Sequence, residues 1–272
     1  MREDGLVAVA HGSADPRAAA AIGELVPLVA RRADKRGLSV PNLRVAYLGH
    51  AAPSVPQVMR TFGPDARVTV LPLLLTAAYH SKTDIPRVLA RTGVRVRYGK
   101  PLGPHPLLLR ALERRLPGTA FEIPAETGVV LAAAGSSDPE ANATIARLAA
   151  RWQAAAGWFA VRPAYASATG PTPAQAVTEL RIAGARRVVV ASYLLAPGLF
   201  ADRIRDASLA AGAAAVSAAL LPWPPAAALL PWPPAAALLP WPPIAAGDAA
   251  SEVADVLLDR YIEAGTRERA AA

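Results

Sequence analysis

The stretches "LVAVAHGSADP" (6–16) and "GVVLAAAGSSDP" (128–139) decide how the whole chain is read. Each is an uncharged apolar run that ends in a Gly-Ser pair and then Asp-Pro, the pattern of a short buried strand followed by a turn. More pairs follow in the same order. "YLGHAAPSVPQVM" (47–59) matches "YASATGPTPAQAV" (165–177), with Tyr, Pro and Gln at the same places. "VTVLPLLLTAAYHSKTDI" (68–85) matches "VVVASYLLAPGLFADRI" (188–204). The last pair sets "VRVRYGKPLGPHPLLLRAL" (94–112) against "AAVSAALLPWPPAAALL" (214–230). The offset runs from 118 residues (Tyr47 to Tyr165) to 123 (Asp15 to Asp138), so it shifts only in loops. The chain is a duplication.

Within the first copy, strand-like and helical runs alternate. "GLVAVA" leads into a helical pattern from about Pro16 to Arg32, "LRVAYL" into "SVPQVMRTF", "ARVTVLPLLL" into a helix after Asp84, and "VRVRYG" into "PLLLRALERRL". Strands separated by helices make βαβ units and a parallel sheet, so each copy is an α/β domain. The expected boundaries are 1–120 and 128–272, joined through "FEIPAET" (121–127).

One segment departs from this order. No charged residue falls between Ala207 and Gly247, and "PWPPAAALL" occurs at 222–230, again at 231–239, and starts a third time at Pro240. That length could cross a membrane. Its prolines, however, remove backbone donors and block helix continuation. A loop expansion at 222–243 of polyproline-like character is expected, and no membrane association.

Composition narrows the chemistry. The 272 residues are 53% hydrophobic and 18% charged, as in a folded globular chain. A formal charge of +8 suits an anionic partner, such as a polycarboxylate or phosphate ligand. Aromatics make up only 6% and no Lys/Arg block occurs, so no nucleic-acid partner is expected. There is no cysteine, which excludes disulfides, zinc–thiolate sites and iron–sulfur clusters. The N-terminal "MREDGLVAVAHG" has charges of both signs and too short an apolar run for a signal peptide, so a cytoplasmic location is expected. With both copies in one chain, a monomer is expected.

All 4 histidines lie in the first copy. His11, His50, His80 and His105 follow its first, second, third and fourth strands. In an open parallel sheet, ligands bind outside the carboxyl ends of the strands. The second copy has Ala134, Ala168, Phe200, and Trp223 or its repeats, at those places. Packing histidines would scatter over both copies; these equip one half for chemistry and leave the other for shape.

"VAHGSADPR" at the first strand end, "PLLLTAAYHSKTDIP" at the third and "PLGPHPLLLRAL" at the fourth together resemble the sirohydrochlorin and cobalt chelatase family. These are the small class II tetrapyrrole chelatases, related in fold to ferrochelatase. The likeness runs through both copies and omits only the "PWPP" expansion. It implies duplicated flavodoxin-like, chelatase-like domains, with parallel four-stranded sheets facing a central cleft. It also implies insertion of a divalent metal, iron or cobalt, into sirohydrochlorin, in sirohaem or cobalamin biosynthesis. The metal is then a substrate, the tetrapyrrole is the small-molecule partner, and no organic cofactor is expected. The family's metal-handling histidines map onto His11 and His80. Where relatives often carry a glutamate after the second strand, this chain has Gly49 with His50 beside it, and His50 is the candidate replacement.

Metalation requires an ion to shed water and pyrrole N–H protons to leave. Imidazole serves both needs, since it binds first-row metals when neutral and titrates near pH 7. A site with few protein ligands also lets the ion go. Ser13, Arg17 and Lys82 are candidate substrate-binding residues, the last two as carboxylate partners unless they are solvated surface charges. His105, between two prolines, reads as a residue that shapes the rim. Two other functions remain in view. A carrier of metal or tetrapyrrole would use the same cleft without turnover. A histidine phosphatase would need Arg before the nucleophilic His, and here Ala10 precedes His11.

Overall fold

A computed structural model describes residues 4–63, 65–77, 83–221 and 247–271. The "PWPP" expansion (222–243), together with His80 and Lys82, therefore lies outside the described residues. The first repeat forms β1 (Gly5–Ala10), α1 (Pro16–Gly23), α2 (Leu25–Lys35), β2 (Leu43–Tyr47), α3 (Val55–Met59), β3 (Arg67–Pro72), α4 (Ile85–Leu89), β4 (Arg95–Tyr98) and α5 (Pro106–Arg115). The second forms β5 (Thr127–Ala133), α6 (Pro139–Ala156), β6 (Ala160–Tyr165), α7 (Pro173–Ile182), β7 (Arg187–Tyr193), α8 (Leu199–Ala210), β8 (Ala215–Val216) and α9 (Gly247–Ala271).

The duplication holds down to register. The sheets are parallel, in the orders β2-β1-β3-β4 and β6-β5-β7-β8. Val7 stands between Arg44 and Val70, and Val130 between Arg162 and Val190. β1 and β5 are buried along their whole length, as central strands covered on both faces must be. The helix starts repeat as well. Asp15 and Asp138 each accept a hydrogen bond from the backbone N–H two residues on, with Pro16 and Pro139 at the first helical position. Gln57 and Gln175 accept from the backbone N–H of Ser54 and Thr172 at 2.7 and 2.8 Å, which accounts for the shared glutamine of the two motifs.

The first helix differs from its expected single span. It breaks at Glu24 into α1 and α2. Pro27, in the first turn of α2, has no N–H to offer the carbonyl four residues back at Gly23 and would crowd it. The equivalent α6 has no proline beyond its first position and runs unbroken from Pro139 to Ala156.

The repeats also exchange their last helices. α9 packs on α2, β3 and β4 of the first repeat, α5 touches β7 of the second, and the two helices lie against each other. Reciprocal arginines fix the exchange. Arg115, from α5, donates to the Leu220 carbonyl at 3.1 Å. Arg260, from α9, donates to the carbonyls of Pro101, Leu102 and Pro104 at 2.8, 3.1 and 3.1 Å. Leu102 and Leu220 are equivalent loop residues, each following the fourth strand of its own repeat. Arg32 pairs with Asp255, Arg36 with Asp259 at 2.7 Å and Arg114 with Glu252 at 2.9 Å along the same seam. Among the described residues, α9 is thus the helix that follows β8 as α5 follows β4; the first "PWPPAAALL", with which the sequence comparison aligned α5, lies outside them.

One apolar core consequently joins the halves. It holds Leu6 and Leu71 from the first sheet, Leu131 from the second, and Leu112, Trp152 and Leu257 from the helices between them. The outer faces of the sheets carry separate cores, around Val7 and Met59 in one repeat and Val130 and Val177 in the other. Helices thus fill the space between the inner faces, and an open pocket lies between the turn after β1 and the start of α8.

Candidate functional site

His11 follows β1 directly and His50 lies three residues beyond β2. The parallel ladder continues past both strand ends: Leu48 N–H donates to the Ala10 carbonyl at 3.0 Å and Gly49 N–H to the His11 carbonyl at 3.1 Å. The chain then turns sharply at Gly12, φ +92°, where an added Cβ would lie 1.6 Å from the Gly49 carbonyl oxygen. No side chain fits there. His50 takes a left-handed φ of +60°, which carries its side chain back toward the first loop. The two exposed imidazoles come to 6.3 Å between ring centres, tilted by 58°.

The second repeat builds the same two loops. Ala166 and Ser167 N–H groups donate to the Ala133 and Ala134 carbonyls at 2.9 and 3.0 Å. Gly135 has φ +84° and Ala168 has φ +65°. The scaffold is complete, and alanines occupy both histidine positions.

Ser13 Oγ accepts from Asp15 N–H at 3.1 Å, and Ser136 Oγ from Asp138 N–H at 3.0 Å. Because both repeats make it, this bond belongs to the turn. Arg17 is not a solvated surface charge. Its guanidinium donates through Nε to Asp15 at 3.0 Å and bridges to Asp202 of the second repeat at 2.6 Å. The Arg17 bond holds the Asp15 carboxyl below the usual carboxylate range, and the two carboxylates push the Arg17 pKa up. Here Asp202 is the residue the sequence did not single out. Its only signal there is an acidic group in the first turn of α8, at the same sheet edge.

His105 is placed as a cap. Its Nδ1 accepts from Leu107 N–H at 3.2 Å at the start of α5. Burial, then the nearby Arg260 charge, lower its pKa against the opposing pull of Asp259 and Glu263. Tyr193 OH, fully buried, crosses between repeats to the Leu75 carbonyl at 3.2 Å, just ahead of the segment that carries His80. Among the described residues, no three of His, Asp and Glu gather as a metal-binding group. No helix among them is long and apolar enough to cross a membrane.

Comparison with known proteins sets these features in context. The chain matches the CbiX family model over residues 5–119 and 128–220. It is 27% identical over 210 residues to a sirohydrochlorin ferrochelatase of Priestia megaterium, covering 75% of this chain and 77% of that protein. A sirohydrochlorin cobaltochelatase of the same species is 31% identical over 147 residues, covering 51% of this chain and 48% of its own. Among solved structures, SirB from Bacillus subtilis with Fe3+ superposes with a TM-score of 0.71 at 23% identity, covering 99% of this chain and 98% of that one. At that identity the likeness concerns the fold.

Proposed function

The chain belongs to the CbiX family, and from that premise we propose that it inserts a divalent metal, iron or cobalt, into sirohydrochlorin. One observation carries the reading: two identical loop scaffolds, with His11 and His50 meeting on one and Ala134 and Ala168 standing on the other. A fold does not require this asymmetry; a reaction at one site does.

In this reading His11 and His80 hold the incoming ion and accept the protons that leave the pyrrole nitrogens, and His50 stands in for the carboxylate absent at Gly49. The His11–His50 spacing supports the last assignment. Two imidazoles that share one ion, each bound through nitrogen at about 2.1 Å, have ring centres roughly 5.3 Å apart at a tetrahedral angle and roughly 6.5 Å apart when opposite each other. The observed 6.3 Å lies near the wide-angle limit, within reach of one ion once either exposed ring rotates inward. Neutral imidazoles without a thiolate or paired carboxylate bind the ion modestly, which lets it pass to the macrocycle. Ser13, Arg17 and Lys82 are assigned to the substrate's carboxylates, with Arg17 sharing its charge with Asp15 and Asp202.

The test is anaerobic incubation of the protein with sirohydrochlorin and ferrous or cobaltous ion, followed by absorbance. The metallated macrocycle should form faster than without protein, and the ion that reacts faster identifies the preferred metal. Binding of both components with no rate increase would make the protein a carrier instead.

A further inference from the structure

A cavity of about 540 Å³ opens between the repeats beside the turn that follows His11. Asp15 and Arg17 line it from the first repeat, and Leu199, Asp202 and Arg205 from the second. Both of its cations reach one carboxylate, with Arg205 also donating through Nε to Asp206 at 2.9 Å. Arg17 reaches Asp202 through its two terminal nitrogens at 3.4 and 2.6 Å, and Arg205 reaches it at 3.3 Å. Two guanidinium groups, one from each half of the molecule, thus converge on Asp202 as they would on a bound carboxylate ligand.

We propose that Asp202 is a built-in occupant of a carboxylate subsite, displaced from Arg17 and Arg205 when a carboxylate of the tetrapyrrole enters. This rests on the chelatase reading and names where the substrate's acidic edge is held. Three features of the site support an exchange over a fixed strap. First, Asp202 is not the cap of its helix: α8 is capped at Gly198 without a side-chain bond, and within α8 Asp202 makes only the exposed i,i+3 pair with Arg205. A carboxylate in the first turn keeps its favourable interaction with the helix end wherever it swings.

Second, Arg17 does not depend on Asp202 for its position. Asp15, with a side chain only 10% exposed, grips it through Nε and one terminal nitrogen, at 3.0 and 2.6 Å. When Asp202, at 28% exposure, leaves, the outer edge of the guanidinium stays aimed into the cavity. A planar fork held this way is preorganised for a planar anion. Third, the apolar neighbours suit a ring that carries acids. Leu199, which lines the cavity, and its chain neighbour Phe200 are 64% and 41% exposed on the first turn of α8, where an aqueous strap would gain nothing from them.

The exchange has a sign that a structural strap lacks. Sirohydrochlorin is titrated into the full chain without metal, and its affinity read from the quenching of its fluorescence. Arg17→Ala should weaken binding about tenfold, the loss of one charge-assisted contact. Asp202→Asn should tighten it about threefold or more, because the competing charge is gone, and in the Arg17→Ala background that gain should shrink. Asp202→Ser, a second substitution of the same site, should tighten binding too. Unchanged or weakened binding in both Asp202 variants, with the wild type binding well, would overturn the subsite and leave the chelatase reading standing. A wild type that fails to bind sirohydrochlorin would overturn that reading, and the subsite with it.

Discussion

At the second strand end of the first repeat His50 sits at φ +60°, and at the same place in the second repeat Ala168 sits at +65°. A left-handed residue with a side chain costs about 1–2 kcal/mol relative to glycine. Both repeats bear that cost, although only one carries an imidazole. The strained backbone therefore belongs to the loop, and His50 inherited it. Gly12 and Gly135 make the same point, since each has a neighbouring carbonyl oxygen where a Cβ would go, at 1.6 and 2.0 Å. Geometry is what the repeats share; side chains are where they part. Chemistry in this molecule is a matter of substitution on a common frame.

The largest effect should come from breaking that contrast. His11→Ala should lower metal insertion by about a hundredfold or more, the usual worth of acid–base assistance with a metal ligand lost besides. Ala134→His, at the matching backbone position, should leave the rate within about twofold, because no second imidazole faces it from Ala168. Rates of sirohydrochlorin metalation for the two variants check both halves of the statement.

The helix exchange offers a second contrast. Arg260→Met would leave three loop carbonyls without their donor, and Arg115→Met only one. Loss of a buried partner costs about 1–3 kcal/mol, so Arg260→Met should destabilise by about 3 kcal/mol. Arg115→Met should cost about 1 kcal/mol or less, since it also removes a buried charge whose pKa burial already lowers. Denaturant unfolding curves distinguish the two.

Much of the frame is legible in the sequence because local patterns dictate it. β1 spans the apolar run "GLVAVA", and the motif pairs superpose at Gly12 with Gly135 and Tyr47 with Tyr165. What escapes is information the chain holds only in three dimensions. Nothing in "DVLLDRYIEAG" states that α9 covers the other repeat's sheet, because an apolar helix face fits either one. The "PWPP" units stand between β8 and that helix and offer α5 a nearer match in the sequence. Asp202 carries no signal of a site in the sequence, because an acid in a helix's first turn is commonplace; its partner Arg17 is 185 residues away. His50, legible only as a neighbour of the missing carboxylate, gains its place from the 6.3 Å contact with His11.

The smallest effect concerns His105, the histidine that caps α5. Its pKa in the fold lies below its ordinary value, so the folded protein holds it neutral while the unfolded chain takes up a proton near pH 6.5. Stability is therefore full above that pH and falls as pH drops toward the lowered value. Protonation would also remove the Nδ1 lone pair that accepts from Leu107 N–H. His105→Asn keeps an acceptor at the cap but does not titrate. It should flatten the loss between pH 7 and pH 5 by about 1 kcal/mol, the usual worth of a cap, as read from unfolding curves at each pH.

The measurement that bears most directly on the division between the halves is a cobalt titration of the wild type and the His11→Ala, His80→Ala double variant, with the bound ion located crystallographically. One ion per chain should bind, at the edge of the first sheet between the histidines, with an affinity that falls as pH drops through the imidazole range; the double variant should bind none there and lose metal insertion. An ion lodged instead at Asp138 or Asp202 of the second repeat, or a double variant that inserts metal at the wild-type rate, would contradict the account.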